Sequence, residues 1–227
     1  MFKSATEVER AERDQHADCA RIDAALDSAK KNIAAVESLQ LDPDEIRKQW
    51  SAIRDRTILG IRNVRHNVVR RAAAAKETEI WMVVKFLREV RDGRVLREFS
   101  AELKEVPTKN LLDYLRYVIQ IGDVARIQSL GAVFATRNDR RPYSATFGKM
   151  LTEFTLAQSG SMGERIPKIY LLAETTDARL VDVFYACGRT RLRAPTSQPL
   201  LEPPRIDALG IEAVPGYAKR NELLEVA

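Results

Sequence analysis

The sequence contains little of the side-chain chemistry on which many enzymes depend. Its 227 residues include only two histidines and two cysteines. Cys19 and Cys187 lie far apart and form no CxxC pair, which indicates free thiols and predicts a cytoplasmic protein. The longest strongly apolar run is IWMVV at 80–84, and the first residues, MFKSATEVERAERD, lack the apolar core of a signal peptide. No membrane association is therefore predicted.

The common catalytic and cofactor-binding motifs are missing as well. The patterns GxGxxG, GxxxxGK[ST], HExxH and GxSxG do not occur, and these are signatures of dinucleotide, phosphate, zinc-protease and hydrolase sites. His16 and Cys19 lie three residues apart, but a helical wheel points Cys19 and the nearest other histidine, His66, in different directions. We therefore predict no metal site, no cofactor and no catalytic residue, although the fold alone does not exclude enzymatic activity.

Composition predicts a globular protein with a weak preference for anionic partners. Hydrophobic residues make up 45% of the chain, enough for one or two compact units. Lysine and arginine number 37 against 32 aspartates and glutamates, a net charge of +5. An excess this small does not select between nucleic acid and acidic protein surfaces.

Hydrophobic periodicity predicts an antiparallel hairpin of two long helices in residues 1–92. The break between them is LQLDPDEIRK, where Asp42 is predicted to cap the second helix and Pro43 to begin it. No strong stop follows before Asp92 and Gly93. The first helix carries an apolar stripe at Cys19, Ile22, Leu26, Ala29, Ile33, Val36 and Leu39. The facing seam of the second helix is predicted at Ile46, Trp50, Ile53, Thr57, Ile61, Val64 and Val68.

Shorter helices are predicted from residue 93 to residue 193, forming a bundle. Thr108 is expected to cap one helix, Gly122 to end it, and Ser144 to open another. The stretch QSGSMGERIP is predicted to be a linker, followed by two short segments, the second capped by Asp177. These segments, near 168–187, are also compatible with a minor β element. Residues 194–227 form a Pro-rich apolar tail predicted to dock on the bundle or on a partner.

The stretch RDRTILGIRNVRHNVVRR, residues 54–71, holds six arginines, and no acidic residue occurs from Arg56 through Lys76. The hairpin register predicts that some of this charge is neutralised internally, with Arg65 near Asp18 and Arg56 near Asp27. The remaining outer face mixes arginines with aliphatic residues, which is typical of protein interfaces. The predicted protein-interface residues are Ile58, Leu59, Arg62, His66, Val69 and Arg70.

Two alternatives to a protein interface stay open for this basic face. One is an ordinary solvated helix face. The other is nucleic-acid binding, since arginines at helical spacing can follow a row of phosphates. The candidate nucleic-acid-binding residues are Arg62, Arg70, Arg71, Arg137, Arg140, Arg141, Arg189, Arg191 and Arg193. For the last two groups of three, hydrogen bonding to helix carbonyls is the competing interpretation.

The sequence as a whole favours an all-α, non-enzymatic scaffold, adaptor or structural subunit that acts through protein–protein assembly. Its expected partners are protein subunits, in a homo-oligomer or a larger complex. The alternative function is that of a nucleic-acid-binding helical protein that uses the basic face of the second helix.

Overall fold

The computed structural model describes residues 1–89 and 93–189, with the backbone alone described at 95, 96 and 185–189. These residues form seven α-helices and one 3₁₀ turn, with no strand, so the all-α prediction is confirmed and the β element near 168–187 is wrong. The predicted tail at 194–227 lies outside the described residues. The helices are α1 (Ala5–Ser38), α2 (Pro43–Arg88), α3 (Gly93–Leu103), α4 (Thr108–Ile121), α5 (Val124–Ala135), α6 (Ser144–Gln158) and α7 (Ser161–Arg189), with the 3₁₀ turn at Arg141–Tyr143.

The two long helices begin and end near their predicted positions. Pro43 is the first residue of α2, and the Asp42 side chain accepts a hydrogen bond of 2.8 Å from the Asp44 amide, so the predicted cap is present. α2 then continues for 46 residues. Within the described part of the chain, no helix combines the length and the apolar character that a membrane span requires.

α7 corrects the predicted end of the helical region. The expected linker shrinks to Ser159 and Gly160, where Gly160 has a φ of +56° that suits glycine. Asp177 lies inside α7 and caps nothing. The helix also continues through Pro167. A proline there removes one backbone hydrogen bond, but Ile166 and Ile169 are fully buried, and their packing offsets the loss.

Contacts divide the described chain into two compact units. The hairpin unit comprises residues 6–75 of α1 and α2 together with residues 167–189 of α7. The short-helix unit comprises residues 1–5 and 76–166. The domain boundaries predicted at 92 and 193 stay predictions.

The core of the hairpin unit is built by three helices instead of two. α1 and α2 contribute most of the predicted stripe and seam, with Ile33 and Trp50 in a second, smaller cluster, and α7 adds Ala173, Leu180, Val183 and Phe184. Leu39 was wrongly included in the stripe, since it lies after the end of α1 and is 54% exposed. This third helix changes the ion pairs. Arg65 binds Asp177 of α7, at 2.9 Å, instead of Asp18. Asp27 binds Arg179 of α7, at 2.6 Å, instead of Arg56.

The short-helix unit packs the end of α2 against α3, α4, α5 and α6. Its buried residues include Phe99, Leu115, Ile127, Phe134 and Phe147, and the rings of the last two stack with centroids 3.9 Å apart. Gly122, at a φ of 70°, ends α4, and Asp123 caps α5 by accepting from the Arg126 amide. Ser144 begins α6 as predicted. The predicted cap at Thr108 is wrong, because its hydroxyl donates to Asp139 across the unit.

Candidate interaction surfaces on the hairpin unit

Three of the six arginines in residues 54–71 are held by carboxylates of the same unit. The Arg65 side chain is only 6% exposed and donates from two nitrogens to both oxygens of Asp177. Arg71, a candidate for nucleic-acid binding, is held internally as well. The three pairs are Arg54 with Asp55, Arg65 with Asp177, and Arg71 with Asp18.

Arg71 belongs to a hydrogen-bonded junction of the three helices. Its Nε donates to the fully buried side chain of Gln15, at 2.9 Å. The amide nitrogen of Gln15 in turn donates to the carbonyls of Val68 in α2 and Ile169 in α7, at 3.2 and 2.9 Å. One glutamine side chain therefore bridges α1, α2 and α7. Arg71 therefore has a structural role in this junction. The sequence pattern had not indicated the junction.

The remaining arginines define an exposed row along α2. This α2 strip consists of Arg56, Leu59, Arg62, Asn63, His66 and Arg70, all of which are exposed. No carboxylate pairs with Arg56, Arg62 or Arg70 among the described residues. At about 1.5 Å per residue, the strip is roughly 21 Å long. Leu59 lies between the arginines with 70% of its surface exposed.

Two of the residues predicted for the outer face are less exposed than expected. Ile58 is half-buried and packs against the core of the hairpin unit, and Val69 is half-buried as well. The core that Ile58 joins includes residues of α7, so α2 buries more of its circumference than it would in a two-helix hairpin. The exposed strip is therefore narrower and more basic than the sequence had indicated.

The other candidate arginines divide into residues with structural roles and residues that are not described. Arg137, in the short-helix unit, donates to the carbonyl of Leu103, the last residue of α3, at 2.6 Å and to the carbonyl of Val106 at 2.9 Å. Arg140 donates to the Arg137 carbonyl. Arg141 is exposed. The side chain of Arg189 and all of Arg191 and Arg193 lie outside the described residues. The carbonyl-binding interpretation thus applies to Arg137 and Arg140.

A groove between α1 and α2 is a second surface of the hairpin unit. Its volume is about 340 Å³, at the lower end of the roughly 300–1,000 Å³ that ligand pockets occupy. The floor is apolar or small and consists of Ile22, Ala25, Ala29, Gly60, Ile61 and Val64. The polar edges are Arg21, Ser28 and Asn32 on α1, with Arg56 and Thr57 on α2. The groove was not predicted, although the small residues at 25, 28, 29 and 60 were a signal for it.

The cysteine that the structure describes has the features of a core residue. Cys19 is 4% exposed. Burial raises the pKa of its thiol above the ordinary value of 9.0, an effect that a hydrogen bond with Thr176 partly opposes. A thiol that stays protonated at neutral pH is a poor nucleophile and a poor metal ligand.

Among the described side chains, no three histidines, cysteines or carboxylates lie close enough together to bind a metal ion. Comparison of the chain with family models, with curated proteins and with solved structures gave no match. The functional argument therefore depends on the α2 strip and the α1/α2 groove.

Proposed function

We propose that this protein is a non-enzymatic helical subunit that works by assembling with other protein chains, in a homo-oligomer or a larger complex. The observation that carries the proposal is Leu59, which is 70% exposed between Arg56 and Arg62 in the exposed row of arginines. Its contact surface is the α2 strip together with the half-buried Ile58 and Val69. The free thiols expected from the sequence favour a cytoplasmic site of action.

The physical argument is the composition of the strip. Protein interfaces combine an apolar centre with a polar rim in which arginine is enriched. Burial of a whole leucine side chain stabilises a complex by about 1.5–3 kcal/mol. Because 70% of Leu59 is still exposed, about two thirds of this energy is available to a partner. Arg56 and Arg62 lie on either side of Leu59 on the same helix face, with His66 beyond Arg62. These residues provide the rim, where they would meet carboxylates on the partner.

Leu59→Glu tests this proposal. The substitution lies on an exposed position, so helical content should not change, whereas a bound partner would meet a buried charge. The native mass, measured by light scattering, should shift toward the monomer, or a copurifying subunit should be lost. Leu171→Glu is the matched control, because Leu171 is also an exposed leucine of the hairpin unit, at 51%. Equal masses and equal sets of copurifying proteins for the two variants would reject the proposal.

Nucleic-acid binding is the second candidate function, and a specific observation supports it. Arg56, Arg62 and Arg70 have no carboxylate partner among the described residues, and the half-burial of Ile58 and Val69 leaves Leu59 as the one strongly exposed aliphatic residue of the strip. Three unpaired guanidinium groups within about 21 Å of helix match the requirements of phosphate contacts.

Salt dependence tests the second candidate. Binding to duplex and to single-stranded DNA is measured by fluorescence anisotropy over a range of salt concentrations. Loss of two phosphate contacts in Arg62→Ala/Arg70→Ala should reduce the slope of log K against log salt by about 1.5–2. Arg13→Ala/Arg97→Ala removes the same charge from exposed positions elsewhere and should leave the slope unchanged. Absence of binding at low salt would eliminate this function.

A further inference from the structure

The α1/α2 groove has room beside Gly60 that the described part of the protein does not fill. Apart from its two chain neighbours and the adjacent backbone of α2, a Cβ atom added at Gly60 would have no atom within 4 Å. The helical backbone at Gly60 does not require glycine, since it has no positive φ. Glycine inside a helix costs about 1 kcal/mol relative to alanine. Neither the backbone conformation nor a neighbouring atom requires glycine at position 60. Gly60 therefore leaves space in the groove for a side chain or a helix backbone from another segment.

The two edges of the groove carry positive charge. Arg56, on the α2 edge, is exposed and has no carboxylate partner among the residues described. Arg21, on the α1 edge, is paired with Asp18 at 3.3 Å but has 72% of its side chain exposed. An occupant that fits this groove needs an apolar face with small residues at its centre and a carboxylate near each edge.

Residues 206–214 of this chain, IDALGIEAV, have that pattern. The segment lies between Pro204 and Pro215, and no basic residue occurs from 206 through 218. On a helical wheel with about 100° per residue, five of its seven apolar and small residues share a sector roughly 140° wide, and Ala208 and Ile211 lie outside it. Asp207 falls at one side of that sector and Glu212 at the other. The residues of the sector are Ile206, Leu209, Gly210, Ala213 and Val214.

The connection to the hairpin unit is long enough for this segment to reach the groove. α7 ends at Arg189, within the same unit, and Ile206 lies 17 positions further along the chain. A chain of that length spans up to about 56–61 Å when extended, whereas α1, with 34 residues, is about 51 Å long. Because the segment is covalently attached, its effective concentration at the groove is of millimolar order, and a weak contact suffices.

We propose that residues 206–214 bind as a short helix in the α1/α2 groove of their own chain. The apolar sector lies on the floor beside Gly60, and Asp207 and Glu212 pair with Arg21 and Arg56 at the two edges. The segment then forms the fourth helix of the hairpin unit. This inference does not depend on the proposed assembly function, which rests on Leu59, although Arg56 belongs both to the α2 strip and to the edge of the groove.

Cysteine cross-linking in the full-length chain tests the position of the segment. The background is Cys187→Ser, with Cys19 retained because its buried thiol, with a raised pKa, reacts slowly. The test pair is Ser28→Cys with Ala213→Cys. The control pair is Ala34→Cys with Ala213→Cys, since Ala34 is exposed on the opposite side of α1 and does not line the groove. Disulfide formation under mild oxidation is followed on non-reducing gels.

The expected result is a monomeric cross-linked product that forms at least about tenfold faster in the test pair than in the control pair. Equal rates in the two pairs would overturn the proposal. A product of twice the mass would also overturn it, because the groove would then hold the segment of a second copy.

The charge and the shape of the groove provide two independent checks. Arg56→Glu replaces an attraction with a repulsion and should slow cross-linking of the test pair about fivefold. Arg62→Glu makes the same change in charge outside the groove and should have no effect. Gly60→Trp fills the floor and should abolish the difference between test and control pairs, with helical content unchanged by circular dichroism. Equal effects of the two arginine variants, or fast cross-linking in Gly60→Trp, would contradict the proposed position.

Discussion

Replacement of Asp177 by asparagine removes the charge that neutralises Arg65 in the core of the hairpin unit. The Arg65 side chain is 6% exposed and Asp177 is 29% exposed, and two hydrogen bonds of 2.9 and 3.2 Å join them. Asparagine keeps the size of the side chain, so packing is conserved. The guanidinium group, however, then remains buried beside a neutral amide.

The expected cost follows from these exposures. Removal of one partner from a fully buried ion pair destabilises a protein by about 3–5 kcal/mol. Asp177 is partly accessible to water, which can replace part of the lost interaction, so we expect about 2–3 kcal/mol for Asp177→Asn. At about 2–4 °C per kcal/mol for a chain of this size, the melting temperature should fall by about 4–12 °C.

Urea denaturation followed by far-UV circular dichroism measures the cost. Asp182→Asn is the matched control, because Asp182 is an exposed aspartate on the same helix, and it should change the free energy of unfolding by less than about 0.5 kcal/mol. The double variant Arg65→Met/Asp177→Leu should be more stable than Asp177→Asn, since no buried charge remains. Equal stability of the asparagine variant and the wild type would refute the assignment of this pair as a buried, interhelical contact.

Three further predictions concern packing and titration. Leu26→Asp places a charge at a fully buried position, and should lower the free energy of unfolding, measured by urea denaturation, by more than about 4 kcal/mol. A smaller effect would show that α1 does not pack through Leu26. Gly60→Ala should stabilise the protein by about 0.5–1 kcal/mol. Gly131→Ala, whose Cβ would lie 2.5 Å from Leu87, should destabilise it by about 1 kcal/mol. The opposite order of stabilities would contradict the open space at Gly60 and the close packing at Gly131. Burial raises the pKa of the Cys19 thiol above 9.0. The stability contributed by the buried, protonated thiol is therefore present below about pH 9 and is lost as the pH rises through the folded-state pKa. Between about pH 8 and pH 10 the wild type should therefore lose more unfolding free energy than Cys19→Ala, and equal losses would show that the thiol is not buried.

Several features follow from local sequence alone. The repeat from Cys19 to Ile33 places five residues of α1 in the core, since a helix presents residues three and four apart on one face. Asp42 and Pro43 begin α2, and Gly122 and Asp123 separate α4 from α5, because these residues satisfy or release backbone groups within a few positions. The exposed positions of Arg62, His66 and Arg70 also follow from the helical wheel.

The contacts that complete the hairpin unit depend on residues far apart in sequence. Arg65 and Asp177 are separated by 112 residues, and Gln15 and Ile169 by 154. Helical periodicity defines which face of a helix is apolar, but it does not indicate which other helix covers that face or at what register. α7 was therefore predicted as separate segments, because Pro167 and the glycines before it resemble a break when tertiary packing is not considered.

The same limit applies to the candidate surfaces. The sequence determined that residues 56–76 of α2 are basic and helical, since charge and periodicity are local properties. Only the tertiary structure decided which arginines are neutralised, because Asp18 and Asp177 approach them from other helices. It also decided that Ile58 packs inward and that a groove opens beside Gly60, because both depend on how closely neighbouring helices approach α2.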